Sequence, residues 1–220
     1  MTLTVEDLVT LAPVVPVVVI DDVADAVPLA DALVRGGLPA IEVTLRTPAA
    51  AAAIERIAAE VPGAVVGAGT VTSGRLLAAA LEAGARFLVS PGATPILLDA
   101  LQTSGVPFLP GVATATDIIA LLERRIGVAK LFPAEVIGGV GALKAFAGPF
   151  PQMRFCPTGG IDARKAPDYL ALENVVCVGG SWMLPKDAIA AGEWDTIAAL
   201  AAEAAALSPA ATGADRAPAR

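Results

Sequence analysis

"RFLVSPGATPILLDALQTSGVPFLPG", Arg86 to Gly111, reads as one strand–helix–strand unit. "RFLVS" (Arg86 to Ser90) and "PFLPG" (Pro107 to Gly111) are short apolar runs of the kind that form buried strands. Between them, Thr94 to Gln102 has helical spacing, with Pro95 in the first turn, where its missing N–H is tolerated. The same unit recurs in both directions. Upstream strands are "VVPVVVI" (Val14 to Ile20), "AIEVTL" (Ala40 to Leu45) and "AVVGAGT" (Ala64 to Thr70). Downstream strands are "VAKLF" (Val128 to Phe132), "MRFCPTGG" (Met153 to Gly160) and "VVCVGGS" (Val175 to Ser181). Alanine- and leucine-rich helices fill the gaps: Val23 to Val34, Pro48 to Glu60, Ser73 to Glu82, Thr114 to Arg125, Gly139 to Phe146, Ala163 to Leu170 and Ala188 to Leu207. Ser73 and Thr114 sit where N-caps belong.

Strict alternation predicts a parallel sheet with helices outside it. Eight strand runs in 220 residues favour a (β/α)₈ TIM barrel over an open doubly wound sheet. A short N-terminal helix, Thr4 to Leu8, precedes the first strand. Residues 1–207 read as a single domain, and "SPAATGADRAPAR" from Ser208 onward reads as a disordered tail.

Hydrophobic residues make up 55% of the chain, enough for a large core. No apolar run reaches the roughly 18–20 residues of a spanning helix, and the N-terminus lacks a basic n-region, so the expectation is a cytoplasmic protein with no membrane partner. A net charge of −7 with no basic block argues against nucleic acid, though not against small phosphate esters. Cys156 and Cys177 lie in apolar runs and read as buried small hydrophobes. The chain has no histidine, which excludes imidazole ligands and histidine-based triads; no metal site and no cofactor is expected.

The informative residues are polar ones in or just past apolar strands, because in a barrel those positions converge on one mouth. In "AIEVTLR", alternation turns Ile41 and Val43 outward and Glu42 inward, where a carboxylate suits a general base or a structural ion pair. Arg46, just beyond, suits capture of a carboxylate or phosphate. In "VAKLF", Ala129 and Leu131 face out, leaving Lys130 and Phe132 inside. Desolvation favours a neutral amine, which attacks carbonyls to form Schiff bases; the bland alternative is a salt bridge between Lys130 and Glu42. Thr158-Gly159-Gly160 and Gly179-Gly180-Ser181 follow the seventh and eighth strands, where barrels commonly bind phosphate. Thr70, in "GAGT", is a hydroxyl donor or a plain turn residue. Glu135 reads as structural, an acidic residue near a helix start.

Taken together, "GGLPAIEVTLRT", "VVGAGTV", "SPG", "KLFPAE", "AGPFPQMRFCPTGGI" and "VCVGGSW" give a chain that resembles the 2-keto-3-deoxy-6-phosphogluconate (KDPG) aldolase family, class I aldolases on a (β/α)₈ barrel. The resemblance runs from about Val14 to about Leu207. It implies that Lys130 is the Schiff-base lysine and Glu42 the acid/base carboxylate. It implies that Arg46 holds the pyruvate carboxylate, that Thr70 and Thr158 supply pyruvate-side hydroxyls, and that Phe132 walls the pocket. Gly159, Gly160 and Ser181 would cradle phosphate, and the protein would be a homotrimer acting on a small phosphorylated keto acid. "VIGGVG" and "LERRIG" are the two places that depart from the family's expected pattern. Alternative readings are an aldolase for 4-hydroxy-2-oxoglutarate or the galactonate epimer, an imine-free isomerase or epimerase, and a non-catalytic trimeric scaffold.

Overall fold

The computed structural model describes residues 3–208; the expected tail, Ser208 apart, lies outside them. Helix α1 (Val5–Thr10) precedes β1 (Val14–Val18). The other strands are β2 (Ala40–Thr44), β3 (Val65–Gly69), β4 (Leu88–Val89), β5 (Phe108–Leu109), β6 (Gly111–Val112), β7 (Val128–Leu131), β8 (Arg154–Pro157) and β9 (Val178–Gly180). Between and after them come α2 (Ala26–Arg35), α3 (Ala50–Glu60), α4 (Gly74–Glu82), α5 (Pro95–Gln102), α6 (Ala115–Glu123), α7 (Gly139–Ala147), α8 (Ala166–Leu170), α9 (Lys186–Ala190) and α10 (Trp194–Ala205).

Every strand pairing is parallel. The order β5-β4-β3-β2-β1-β9 makes a six-stranded segment, and β6-β7-β8 a three-stranded one. The result is a curled parallel sheet with helices outside it. Single bridges, Phe155 to Val175 and Thr158 to Gly179, link β8 and the residue after it to β9 and the run that leads into it. The expected strand "PFLPG" appears as two pieces, β5 and β6, parted at Pro110. Proline has no N–H for the ladder, although its carbonyl still accepts from Lys130 N at 3.0 Å.

Local chemistry explains the helix starts. Ser73 and Thr94 each accept from a backbone N–H in the first turn, at 3.3 Å. Thr114 forms a full capping box with Asp117. The expected helix from Ala188 to Leu207 breaks into α9 and α10 at Gly192, whose φ of 68° only glycine adopts without strain. The seventh strand run, read to Gly160, ends as β8 at Pro157; Thr158 still bridges to Gly179, and Gly159 and Gly160 bend away after the strand, as a site past the strand end requires.

Alternation sorts the core into two layers. Ile41, Val43, Ala129 and Leu131 belong to the layer between sheet and helices. Val15, Val65, Phe87, Val128 and both cysteines fill the inside of the curl, together with Leu8 and Val9 of α1. Apolar side chains therefore close the N-terminal end of the sheet, and polar groups are left to the C-terminal end. Among the described residues no helix is long and apolar enough to cross a membrane.

Candidate active site

Lys130 stands one step above Val128 on the inner face of β7, level with Gly111 on β6 and Cys156 on β8. Glu42 projects inward from β2. Lys130 Nζ lies 3.0 Å from Glu42 Oε1 and 3.3 Å from Oε2. Both residues are buried, at 5% and 3% exposure, so two charged groups 88 residues apart are held together away from water. Burying either alone would be costly, and pairing is what makes both tolerable. Lys130 Nζ also lies 5.4 Å from the centroid of the Phe132 ring, within cation–π range.

Gly69, at the end of β3, makes room for this pair. A Cβ there would collide with Glu42 Oε1 and lie 2.6 Å from its Cγ. Gly69→Ala is expected to push the Glu42 carboxylate off Lys130 and lower activity by about 10²-fold, the usual scale for a misplacement of about 1 Å. Steady-state kinetics beside a thermal melt checks this. Activity within twofold of wild type would mean that the position of Glu42 does not matter to the reaction.

Arg46 and Thr70 form a second group on the same rim. Arg46 Nε donates to Thr70 Oγ1 at 3.1 Å. Thr70 holds φ at 61°, a left-handed conformation that costs a β-branched residue about 1–3 kcal/mol. That placement ties up Nε and leaves the terminal guanidinium nitrogens available for bidentate contact with a carboxylate.

The third group follows β8 and β9. Thr158 is buried, and its hydroxyl donates weakly to Cys156 O at 3.4 Å. A Cβ on Gly179 would run into that hydroxyl, so the glycine permits the close approach. Gly159 and Gly160 take φ values of 105° and 80°. Their turn is tied to the loop after β7, where Ala134 N donates to Thr158 O at 2.8 Å and Glu135 N to Gly159 O at 3.1 Å. Ser181 is exposed, immediately after β9.

Sequence reading identified Glu135 only as structural, and missed Lys165 and Tyr169. Lys165 Nζ donates to Glu135 Oε2 at 2.6 Å and to Gly160 O at 2.9 Å, and the Tyr169 hydroxyl donates to Glu135 Oε1. Lys165 and Tyr169 hold the Glu135 carboxyl below the usual range, while burial and that same contact push the Tyr169 phenol up. No local spacing could have signalled this cluster. Cys156 and Cys177 are free and buried, and contact with Cys156 together with burial pushes the Cys177 thiol up. Both behave as small hydrophobes, as expected.

The chain matches the family model "KDPG and KHG aldolase" over residues 5–200. The "KHG/KDPG aldolase" of Escherichia coli is 51% identical over 199 residues, 90% of this chain and 93% of that protein. A crystal structure of the 2-keto-3-deoxy-6-phosphogluconate aldolase of Zymomonas mobilis with 3-phosphoglycerate superposes with a TM-score of 0.88 at 50% identity, covering 94% of this chain and 97% of the other. The KDPG aldolase of Legionella pneumophila, with pyruvate captured as a covalent carbinolamine, gives a TM-score of 0.91 at 43% identity over 94% of this chain and all of that one (100%).

Proposed function

The chain belongs to the family of KDPG and KHG aldolases, and we propose that it cleaves 2-keto-3-deoxy-6-phosphogluconate to pyruvate and D-glyceraldehyde 3-phosphate through an imine on Lys130. It is a carbon–carbon lyase of the class I type. The observation that carries this reading is the buried Lys130–Glu42 pair at the C-terminal ends of a parallel sheet. A scaffold has no use for such a pair.

The steps follow from the groups on the rim. Proton transfer from the Lys130 ammonium to Glu42, its hydrogen-bond partner, frees the amine to add to the C2 ketone. Glu42 returns that proton to the departing C2 hydroxyl, and loss of water gives a protonated imine, an electron sink, with Glu42 again a carboxylate. Glu42, directly or through a water, then takes the C4 hydroxyl proton. The C3–C4 bond breaks, its electrons move into the enamine, and the aldehyde leaves. Protonation at C3 and hydrolysis release pyruvate and restore Lys130. Arg46, positioned by Thr70, holds the pyruvate carboxylate; Thr158 and Phe132 bound the pyruvate side. Gly159, Gly160 and Ser181 take the phosphate. Neither a metal nor an organic cofactor is needed for these steps.

The finer architecture belongs to the same reading. Counting β5 and β6 as one strand interrupted at Pro110, and β8 as joined to β9 by the two bridges, we read the sheet as a closed (β/α)₈ barrel and the described residues up to 207 as its single domain. Ile96 and Val136, 82% and 83% exposed, suit burial against further copies in a homotrimer. Phosphorylated sugar acids are retained inside cells by their charge, which places the enzyme in the cytoplasm.

The test is pyruvate release from three substrates: KDPG, 4-hydroxy-2-oxoglutarate and the phosphogalactonate epimer. Sedimentation equilibrium of the same sample reads the oligomer. The highest kcat/KM is expected for KDPG, on a trimer. A clear preference for 4-hydroxy-2-oxoglutarate would transfer the main activity to that acid and remove the need for a phosphate cradle.

A further inference from the structure

The turn after β8 is held by its carbonyls. Glu135 N donates to Gly159 O at 3.1 Å, and Lys165 Nζ to Gly160 O at 2.9 Å. A trans peptide is planar, with C=O and N–H pointing in opposite directions. Fixing those two carbonyls therefore fixes the N–H groups of Gly160 and Ile161, which share their peptide planes, and turns them away from the loop that carries Glu135. Among the described residues neither N–H has an acceptor within the protein. Two consecutive glycines at positive φ would otherwise let these peptides flip.

We infer that Glu135, Lys165 and Tyr169 are positioning residues, a clamp that keeps the Gly160 and Ile161 amides aimed at the phosphate of the substrate. The inference rests on the phosphate reading of this turn given above. Glu135 acts twice, through its own backbone N–H and through the carboxylate that anchors Lys165 at 2.6 Å. Tyr169, 1% exposed on α8, roots that carboxylate in the core. A Cβ on Gly160 would lie 2.8 Å from Glu135 Cβ and Cγ, so the carboxylate stem also buttresses the turn sterically. Lys165 uses two of its three N–H donors inside the clamp, so it orients the amides rather than replacing them. The loop that carries Glu135 continues directly from β7, which carries Lys130, so the clamp and the imine lysine are linked through one segment of chain.

The experiment compares Lys165→Met, Lys165→Arg and Glu135→Gln with wild type on KDPG and on the unphosphorylated 4-hydroxy-2-oxoglutarate. Lys165→Met is expected to raise KM for KDPG about tenfold with kcat within about twofold, the signature of lost uniform binding. Its constants for the unphosphorylated acid are expected to stay within about twofold. Lys165→Arg, which keeps a charged donor, should recover most of the loss, and Glu135→Gln should follow Lys165→Met in direction. An equal decline on both substrates would overturn the clamp in favour of general support of the fold, and no change on either would make the cluster a bystander. The wild-type arm reads the premise separately: if inorganic phosphate does not compete with KDPG, the phosphate reading of the turn fails before any variant is compared.

Discussion

Lys130→Met is expected to lower kcat/KM for KDPG cleavage by about 10⁴-fold or more, equivalent to about 5.5 kcal/mol of transition-state stabilisation. Methionine keeps the unbranched apolar stem of lysine, one atom shorter, but offers no amine to the C2 ketone. With pyruvate and sodium borohydride, mass spectrometry of the wild type should show a single pyruvate-derived adduct on Lys130, absent from the variant. The chain has only four lysines, at 130, 144, 165 and 186, so the site is quickly mapped. No adduct on folded wild-type protein would sink the imine mechanism and leave an isomerase or epimerase that merely binds phosphate.

The same variant probes stability. Removing one partner of a buried ion pair strands the other, at a cost on the order of 3–5 kcal/mol. Lys130→Met should therefore unfold at lower denaturant than wild type. Adding Glu42→Gln should restore much of the difference, because the stranded carboxylate is gone. Additive losses in the double variant would mean that the two groups do not depend on each other, contrary to their separation of 3.0 Å.

How far the sequence foretold this arrangement depends on how local each signal is. Period-2 alternation turned Glu42 and Lys130 inward because it needs only the neighbouring residues, and their apolar partners Ile41, Val43, Ala129 and Leu131 do line the helix side. Helix caps at Ser73 and Thr114 were legible for the same reason. The break at Pro110 was misread because both halves of "PFLPG" are apolar, and the break at Gly192 because alanine-rich runs stand on both sides of it. Distance defeats pattern reading elsewhere. Glu135 meets Lys165 and Tyr169 across 30 and 34 residues, on a loop and a helix where polar side chains attract no notice. Thr70 is harder still: a β-branched residue in a left-handed conformation contradicts its own propensity, so the sequence argues against the geometry that lets it hold Arg46.

Glu42→Gln separates the two tasks assigned to that carboxylate. Glutamine keeps the shape and still offers an oxygen to Lys130 Nζ, so the lysine stays in place, but it cannot accept a proton. A general base of this kind contributes about 10²–10⁴-fold, and kcat for KDPG is expected to fall by that amount. Two partial reactions locate the loss. Borohydride trapping with pyruvate reports imine formation alone; exchange of the pyruvate methyl hydrogens in heavy water reports proton transfer at C3 after the imine has formed. If Glu42 serves the carbon skeleton, the variant still traps pyruvate, while exchange and cleavage both collapse. If its main task is to take the proton from Lys130, trapping slows in step with cleavage, and the base at the C4 hydroxyl must be sought elsewhere on the rim. Should all three rates stay within about twofold of wild type, Glu42 would be only the counter-ion that makes a buried lysine tolerable. The 3.0 and 3.3 Å contacts, with both carboxylate oxygens turned to one ammonium, are compatible with either proton route, and the ratio of trapping to exchange decides between them.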